Sequence, residues 1–150
     1  MSTVYAMDEY GNKKGQGLLI IEDEKVYSVD EYGNKQGNGI LLLDSDKIYG
    51  VDSYGYKKGE GKYLFESGVL FRVDEYGNKK GQGVFAIESD AVYYLDEYGN
   101  KKGNGVVMVD SGIVYQMDDY GNKQGNGRLM IEGGYSQLEL VAILNRTGLI

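Results

Sequence analysis

Six aspartates, Asp8, Asp30, Asp52, Asp74, Asp96 and Asp118, each open a stretch of the type DEYGNKKGQG, rich in carboxylate, amide, lysine and glycine. Three kinds of chemistry use such letters. The first is cation binding, since Asp, Asn and Gly are calcium-loop residues. This stretch lacks the alternating oxygen ligands and the distal Glu of an EF-hand loop, and it sets two lysines where the ion would sit. The second is carboxylate-pair catalysis as in glycosidases. Six near-equivalent copies leave none of them special. The third is a phosphate cradle at Gly15-x-Gly17 and its counterparts. No helix follows any of them, so the mechanism is missing and a β-bulge or close backbone packing is the better assignment. What remains is structural: each Asp caps a turn by accepting bonds from the loop's own N–H groups. Beside each Asp stands a loop aromatic, Tyr10, Tyr32, Tyr54, Tyr76, Tyr98 or Tyr120, which either covers the loop backbone or offers a ladder of rings to a sugar or a protein.

Composition narrows the field further. The chain of 150 residues is one domain's worth, with a formal charge of -7 and no Cys, His, Pro or Trp. Without Cys there is no disulfide or thiolate, and without His the commonest general base and metal ligand is gone. No cofactor and no metal site is expected, and the chain is expected not to be an enzyme. The negative charge argues against sequence-independent nucleic-acid binding and against anionic membrane surfaces. It suits a basic protein partner. No stretch reads as an export signal or membrane span, which points to a cytoplasmic protein.

The elements that hold these residues follow from the spacing. The six aspartates stand 22 residues apart without insertion, which marks a repeat architecture. The units are 4–25, 26–47, 48–69, 70–91, 92–113 and 114–135, with a cap over 136–150. Each holds two short apolar segments, such as Val26 to Val29 and Ile40 to Leu43, too short for helices and rich in β-branched and aromatic residues. The spacing predicts an all-β domain of six 22-residue β-hairpins in an antiparallel meander, curled or closed. Central pairs such as Ser67-Gly68 and Ser111-Gly112 suit two-residue hairpin turns. Glu22 and Asp44 would face Lys25 and Lys47 across them. The alternative is a β-solenoid with two strands per coil. It is disfavoured because identical acids would stack about 4.8 Å apart.

Strand alternation assigns the faces. Leu18, Ile20, Tyr27, Val29, Ile40, Leu42, Tyr49 and Val51 fall on one. Leu19, Ile21, Val26, Leu41, Leu43 and Ile48 fall on the other, together with a mixed row of Ser28, Gly50, Arg72, Tyr94 and Gln116. Both faces are largely apolar, so the sheet must roll on itself, be covered, or pair with another chain. A homo-oligomer formed through one apolar face is therefore expected. The tail SQLELVAILNRTG (136–148) breaks the repeat and reads as a short buried helix, with Ser136 and Glu139 as a capping box and Gly148 as the stop. It would plug the concave side or seal the last edge.

The run Gly11-x-x-x-Gly15-x-Gly17, then nine residues, then Tyr27, resembles the MORN repeat, over about residues 4–135. The unit departs from that pattern between the Tyr and the first Gly, at the usual Trp, and at the Gly after the first Tyr. Tyr27-x-x-Asp30-x-x-Gly33-Asn34 also resembles the Tyr-Asp repeat of Rhs-type shells. The MORN likeness implies single sheets of hairpins, scaffolding, self-association and partner binding without catalysis.

Charge adds one more reading. The short turns hold Glu22, Asp23, Glu24, Asp44, Asp46, Glu66, Glu88, Asp90, Asp110 and Glu132 against only Lys25 and Lys47, whereas the long loops nearly cancel. A meander puts the two kinds of connection on opposite rims, so one rim would be an acidic strip that steers a basic partner. The sequence thus supports a non-enzymatic protein-interaction or scaffold module. Its alternatives are an acidic neutralising inhibitor of the immunity or antitoxin kind, and a carbohydrate-binding aromatic ladder.

Overall fold

The computed structural model describes residues 1–150. Its strands are β1 (Ser2–Met7), β2 (Lys13–Glu22), β3 (Lys25–Val29), β4 (Lys35–Asp44), β5 (Lys47–Val51), β6 (Lys57–Glu66), β7 (Val69–Val73), β8 (Lys79–Glu88), β9 (Ala91–Leu95), β10 (Lys101–Asp110), β11 (Ile113–Gln116) and β12 (Leu129–Glu132). One helix, α1 (Gln137–Arg146), follows. Sequence neighbours pair antiparallel throughout, as a meander requires and a solenoid forbids. The sheet then closes: β1 pairs with β12, with Thr3 opposite Glu132 and Ala6 opposite Leu129, giving a barrel of twelve strands within one chain.

Two local devices curve the sheet. The short turns are tight hairpins with left-handed residues, φ 53° and 64° at Asp23-Glu24 and 52° and 78° at Ser67-Gly68. That geometry matches the right-handed twist of the strands it joins. The second device is a bulge at each Gly-x-Gly. Val26 stands opposite Leu41 and Ser28 opposite Gln36, so Tyr27 alone faces the stretch from Gly37 to Ile40. Gly37 and Gly39 make this possible with φ of 68° and 105°. The same shift recurs beside β1, β5, β7 and β9, so the bend is applied at every repeat and the ribbon coils until its edges meet.

The bulge also corrects one face assignment. Leu18 and Ile40 were expected beside Tyr27, yet they line the lumen with Leu19, because the extra residues at Gly-x-Gly break the alternation. The rest of the inner face is as the pattern predicts. Val4, Val26, Ile48, Leu70, Val92 and Val114 form a ring with at most 1% exposure, and Leu19, Ile21, Leu41, Leu43, Phe85, Ile87, Val107 and Val109 are buried around it.

The lumen is filled by α1. Five consecutive residues, Leu140 to Leu144, are buried, so the helix has no wet side and must sit inside the wall. They join the wall residues in a single core cluster. Ser136 Oγ accepts from the Glu139 N–H and the Glu139 carboxylate accepts from the Ser136 N–H, which starts the helix. Gly148, at φ 81°, ends it. The helix enters among the short turns, where Ser136, Leu138 and Glu139 lie near Glu24, Leu43 and Ser45. It ends toward the long loops, where the Asn145 side-chain amide reaches the Tyr63 hydroxyl at 3.5 Å.

Candidate functional site at the long-loop mouth

The six long loops share one construction. The Asp8 carboxylate accepts from the Tyr10 and Asn12 N–H groups at 2.9 Å each, and Asp30, Asp52, Asp74, Asp96 and Asp118 do the same in their own loops. These are the turn caps the sequence predicts. The Asn78 N–H, with that of Tyr76, holds the Asp74 carboxyl below its ordinary value. Neighbouring loops are tied as well: Asn38 donates to the Ser53 carbonyl, Asn104 to that of Asp119, and Asn126 to that of Glu9, the last crossing the seam of the barrel. No group of three or more acidic side chains gathers where it could hold a metal ion.

This rigid backbone presents its aromatics outward. Tyr10, Tyr32, Tyr54, Tyr76, Tyr98 and Tyr120 are each 75–84% exposed, and Tyr56 is 70% exposed. They do not cover the loop backbone. The second tyrosine row behaves otherwise. Tyr5, Tyr27, Tyr49, Tyr93 and Tyr115, with Phe71, face outward at half burial, and a lysine ammonium lies 4.6–4.9 Å above each ring.

Those lysines redraw the acidic rim. Lys35 pairs with Glu22, Lys57 with Asp44, Lys79 with Glu66, Lys101 with Glu88, Lys123 with Asp110 and Lys13 with Glu132, at 2.5–3.0 Å. Six of the ten turn acids are therefore neutralised over the outer wall. Asp23, Glu24, Asp46 and Asp90 remain unpaired, so the strip is broken rather than continuous. Glu22 and Asp44 do stand opposite Lys25 and Lys47 as expected, but their ion pairs go to the strand beyond. Hydrogen bonds from Lys35, Lys57 and Lys123 hold the carboxyls of Glu22, Asp44 and Asp110 below their ordinary values. The same bonds raise those lysines, and bonds to Glu132 and Glu88 raise Lys13 and Lys101.

Sequence reasoning missed the other half of the lysines. Lys14, Lys58, Lys80 and Lys102 stand directly opposite Ala6, Gly50, Arg72 and Tyr94, so they share the inner face. Lys62 lies over Gly50, its Cε 3.6 Å from where a β-carbon would stand. Arg128 bonds the Gln116 side chain, and Arg146 closes the last turn of α1. None of these eight cations, Arg72 included, has a carboxylate within ion-pair distance. The signal was available: in each Lys-Lys pair of the loops, period-two alternation sends the first outward and the second inward. The inner face of the barrel's mouth, a funnel edged by loops that carry exposed tyrosines, therefore holds eight cations without an ion-pair partner, with loop acids such as Glu97 and Asp119 beside some of them.

No protein-family model matches the chain, and no curated protein matches it. Among solved structures, an alternansucrase in complex with isomaltotriose is 19% identical over 80% of this chain, with a TM-score of 0.19. The chain spans 10% of that enzyme's length.

Proposed function

We propose that the chain is a non-enzymatic binding module. In this reading a barrel made stiff by its own helix presents the loop tyrosines as a crown to a protein partner. The observation that carries it is the contrast between the two tyrosine rows. The outer-wall row is sheltered under lysines, whereas the loop row is three-quarters or more exposed on backbone that is fixed by Asp carboxylates. Tyrosine is enriched at protein interfaces because it offers a large, stiff, amphipathic surface at low entropy cost. Six equivalent stations suit avidity more than catalysis, which needs one distinguished site. No helix is long and apolar enough to cross a membrane.

The homo-oligomer expected from the sequence rested on an uncovered apolar face. Closure and α1 now bury the inner face within one chain, so that need no longer follows. The inhibitor alternative loses support with its continuous strip, since only Asp23, Glu24, Asp46 and Asp90 stay free on the short-turn rim.

The test is affinity capture from the native source with the variant Tyr32→Ser/Tyr54→Ser/Tyr76→Ser beside the parent chain. Loss of the captured protein with an unchanged Tm supports the crown. Retained capture rejects it. A second variant, Asp23→Lys/Asp46→Lys/Asp90→Lys, leaves all six ion pairs intact, and loss of capture there alone would favour the acidic rim.

A further inference from the structure

The lumen mouth does not share the sixfold regularity of the loops. The row facing the funnel reads Ala6, Ser28, Gly50, Arg72, Tyr94 and Gln116, no two residues alike. On the far side Arg72 and Tyr94 are long side chains, both solvent-exposed. On the near side Ala6 and Ser28 are short, and a cavity of about 590 Å³ remains above them, bounded by the end of α1. That volume falls within the range of small-molecule sites.

Its lining divides by chemistry. The floor is apolar, made of Leu19, Leu129 and Leu149, each at most 8% exposed. Three cations, Lys14, Arg128 and Arg146, line it as well, and no acidic residue does. None of the three is within ion-pair distance of a carboxylate elsewhere. A helix C-terminus attracts cations through its unpaired carbonyls, but these carbonyls already have partners. The Ile143 carbonyl accepts from the Thr147 N–H and hydroxyl, that of Leu144 from the Leu149 N–H, and that of Asn145 from the Gly148 N–H. Three solvent-exposed cations around this mixed hollow are thus left without a counter-charge.

We propose that this cavity binds an amphipathic organic anion, its apolar body on the leucine floor and its charged head among Lys14, Arg128 and Arg146. Two arginines suit a planar, two-oxygen head such as a carboxylate, which their guanidinium forks can grip bidentately. The site accounts for the break in the repeat. Small residues at Ala6 and Ser28 make room where the equivalent positions in β7 and β9 hold the long side chains of Arg72 and Tyr94. It is independent of the tyrosine crown, because it uses none of those rings.

The experiment is calorimetric titration of the full chain with decanoate below its micelle concentration, beside acetate and decyltrimethylammonium. Saturable binding of one decanoate, at least roughly tenfold tighter than either control, is expected, because acetate lacks the body and the ammonium has the wrong head. Arg128→Gln and Arg146→Gln should each weaken decanoate about tenfold. Ser28→Phe should fill the hollow and abolish binding; if it does not fold, Ala6→Leu takes its place. Equal affinity for decanoate and the ammonium, binding that survives the filling variant, or no heat from a folded chain would each overturn the proposal. The tyrosine variant should bind decanoate unchanged, so the two readings fail separately.

Discussion

The outer wall and the inner mouth of this barrel come from the same six copies, yet they have opposite characters. Outside, every repeat builds the same stack: a lysine over an aromatic ring, bonded to a carboxylate two strands away. Inside, at the level of Ser28 and Arg72, each repeat supplies a different side chain. Regularity belongs to what sets the curvature, because a closed barrel of identical hairpins needs equal bends and equal registers. Irregularity belongs to what meets a single object. One helix cannot present six equal faces to a sixfold wall, so the wall must adapt to it and leaves a hollow where it does not.

The sharpest way to break this contrast is to spoil the one element that is not repeated. Ile143 is fully buried within the wall. Ile143→Asp sets an unpaired carboxylate there and should cost at least about 4 kcal/mol. The expected result is a Tm lower by ~10 °C or more in a thermal melt. A small change would mean that the barrel stands without its plug and that wall repetition alone is sufficient.

The next effect separates two glycines of one bulge. A β-carbon at Gly83, φ 107°, would come within 2.5 Å of Val69 Cγ1 and 3.0 Å of Leu95 Cδ1, whereas at Gly81, φ 78°, nothing lies within 4 Å. Gly81→Ala then carries only the left-handed backbone penalty, about 1 kcal/mol, and Gly83→Ala adds packing strain of roughly 1–3 kcal/mol. Urea midpoints should order parent, Gly81→Ala, Gly83→Ala. Equal losses would show that the bulge is held by backbone conformation alone.

The smallest effect concerns the repeated charges. Glu22, Asp44, Asp74 and Asp110 have carboxyls lowered in the folded chain. Their contribution is full above the unfolded values near 4 and is lost as pH falls through the folded ones. Lys13, Lys35, Lys57, Lys101 and Lys123 are raised above the ordinary 10.5, so their contribution is full below that value and is lost as pH rises through the folded ones. Tm should be level between about pH 5 and pH 9 and decline on both sides. Asp74→Asn keeps an acceptor for the loop N–H groups but cannot titrate, so it should flatten the acid limb slightly. A Tm that rises below pH 4 would contradict the assignment.

Much of this was legible in the sequence because it is local. The 22-residue spacing, the left-handed turn pairs, the Asp caps, the capping box at Ser136 and the apolar inner row each depend on residues a few positions apart, where backbone geometry leaves little choice. The alternation failed at Leu18, Ile40 and their counterpart Val106, which was also expected beside the outer tyrosine row, because the glycine bulge inserts residues that period-two counting does not register. The acidic rim misled for a related reason. Glu22 and Lys35 are 13 residues apart, on β2 and β4, and meet only because both strands pair with β3 and the side chains reach across it.

What the sequence determined by itself was the unit: a hairpin, its turns, its capped loop and its two faces, all fixed by short-range sterics and hydrogen bonding. What only the tertiary structure decided was closure after six units, the descent of α1 into the lumen, and the pairing of the outward lysines with carboxylates two strands away. Those depend on a bend summed over the whole ring and on which surface ends up enclosed. Neither quantity belongs to any single repeat.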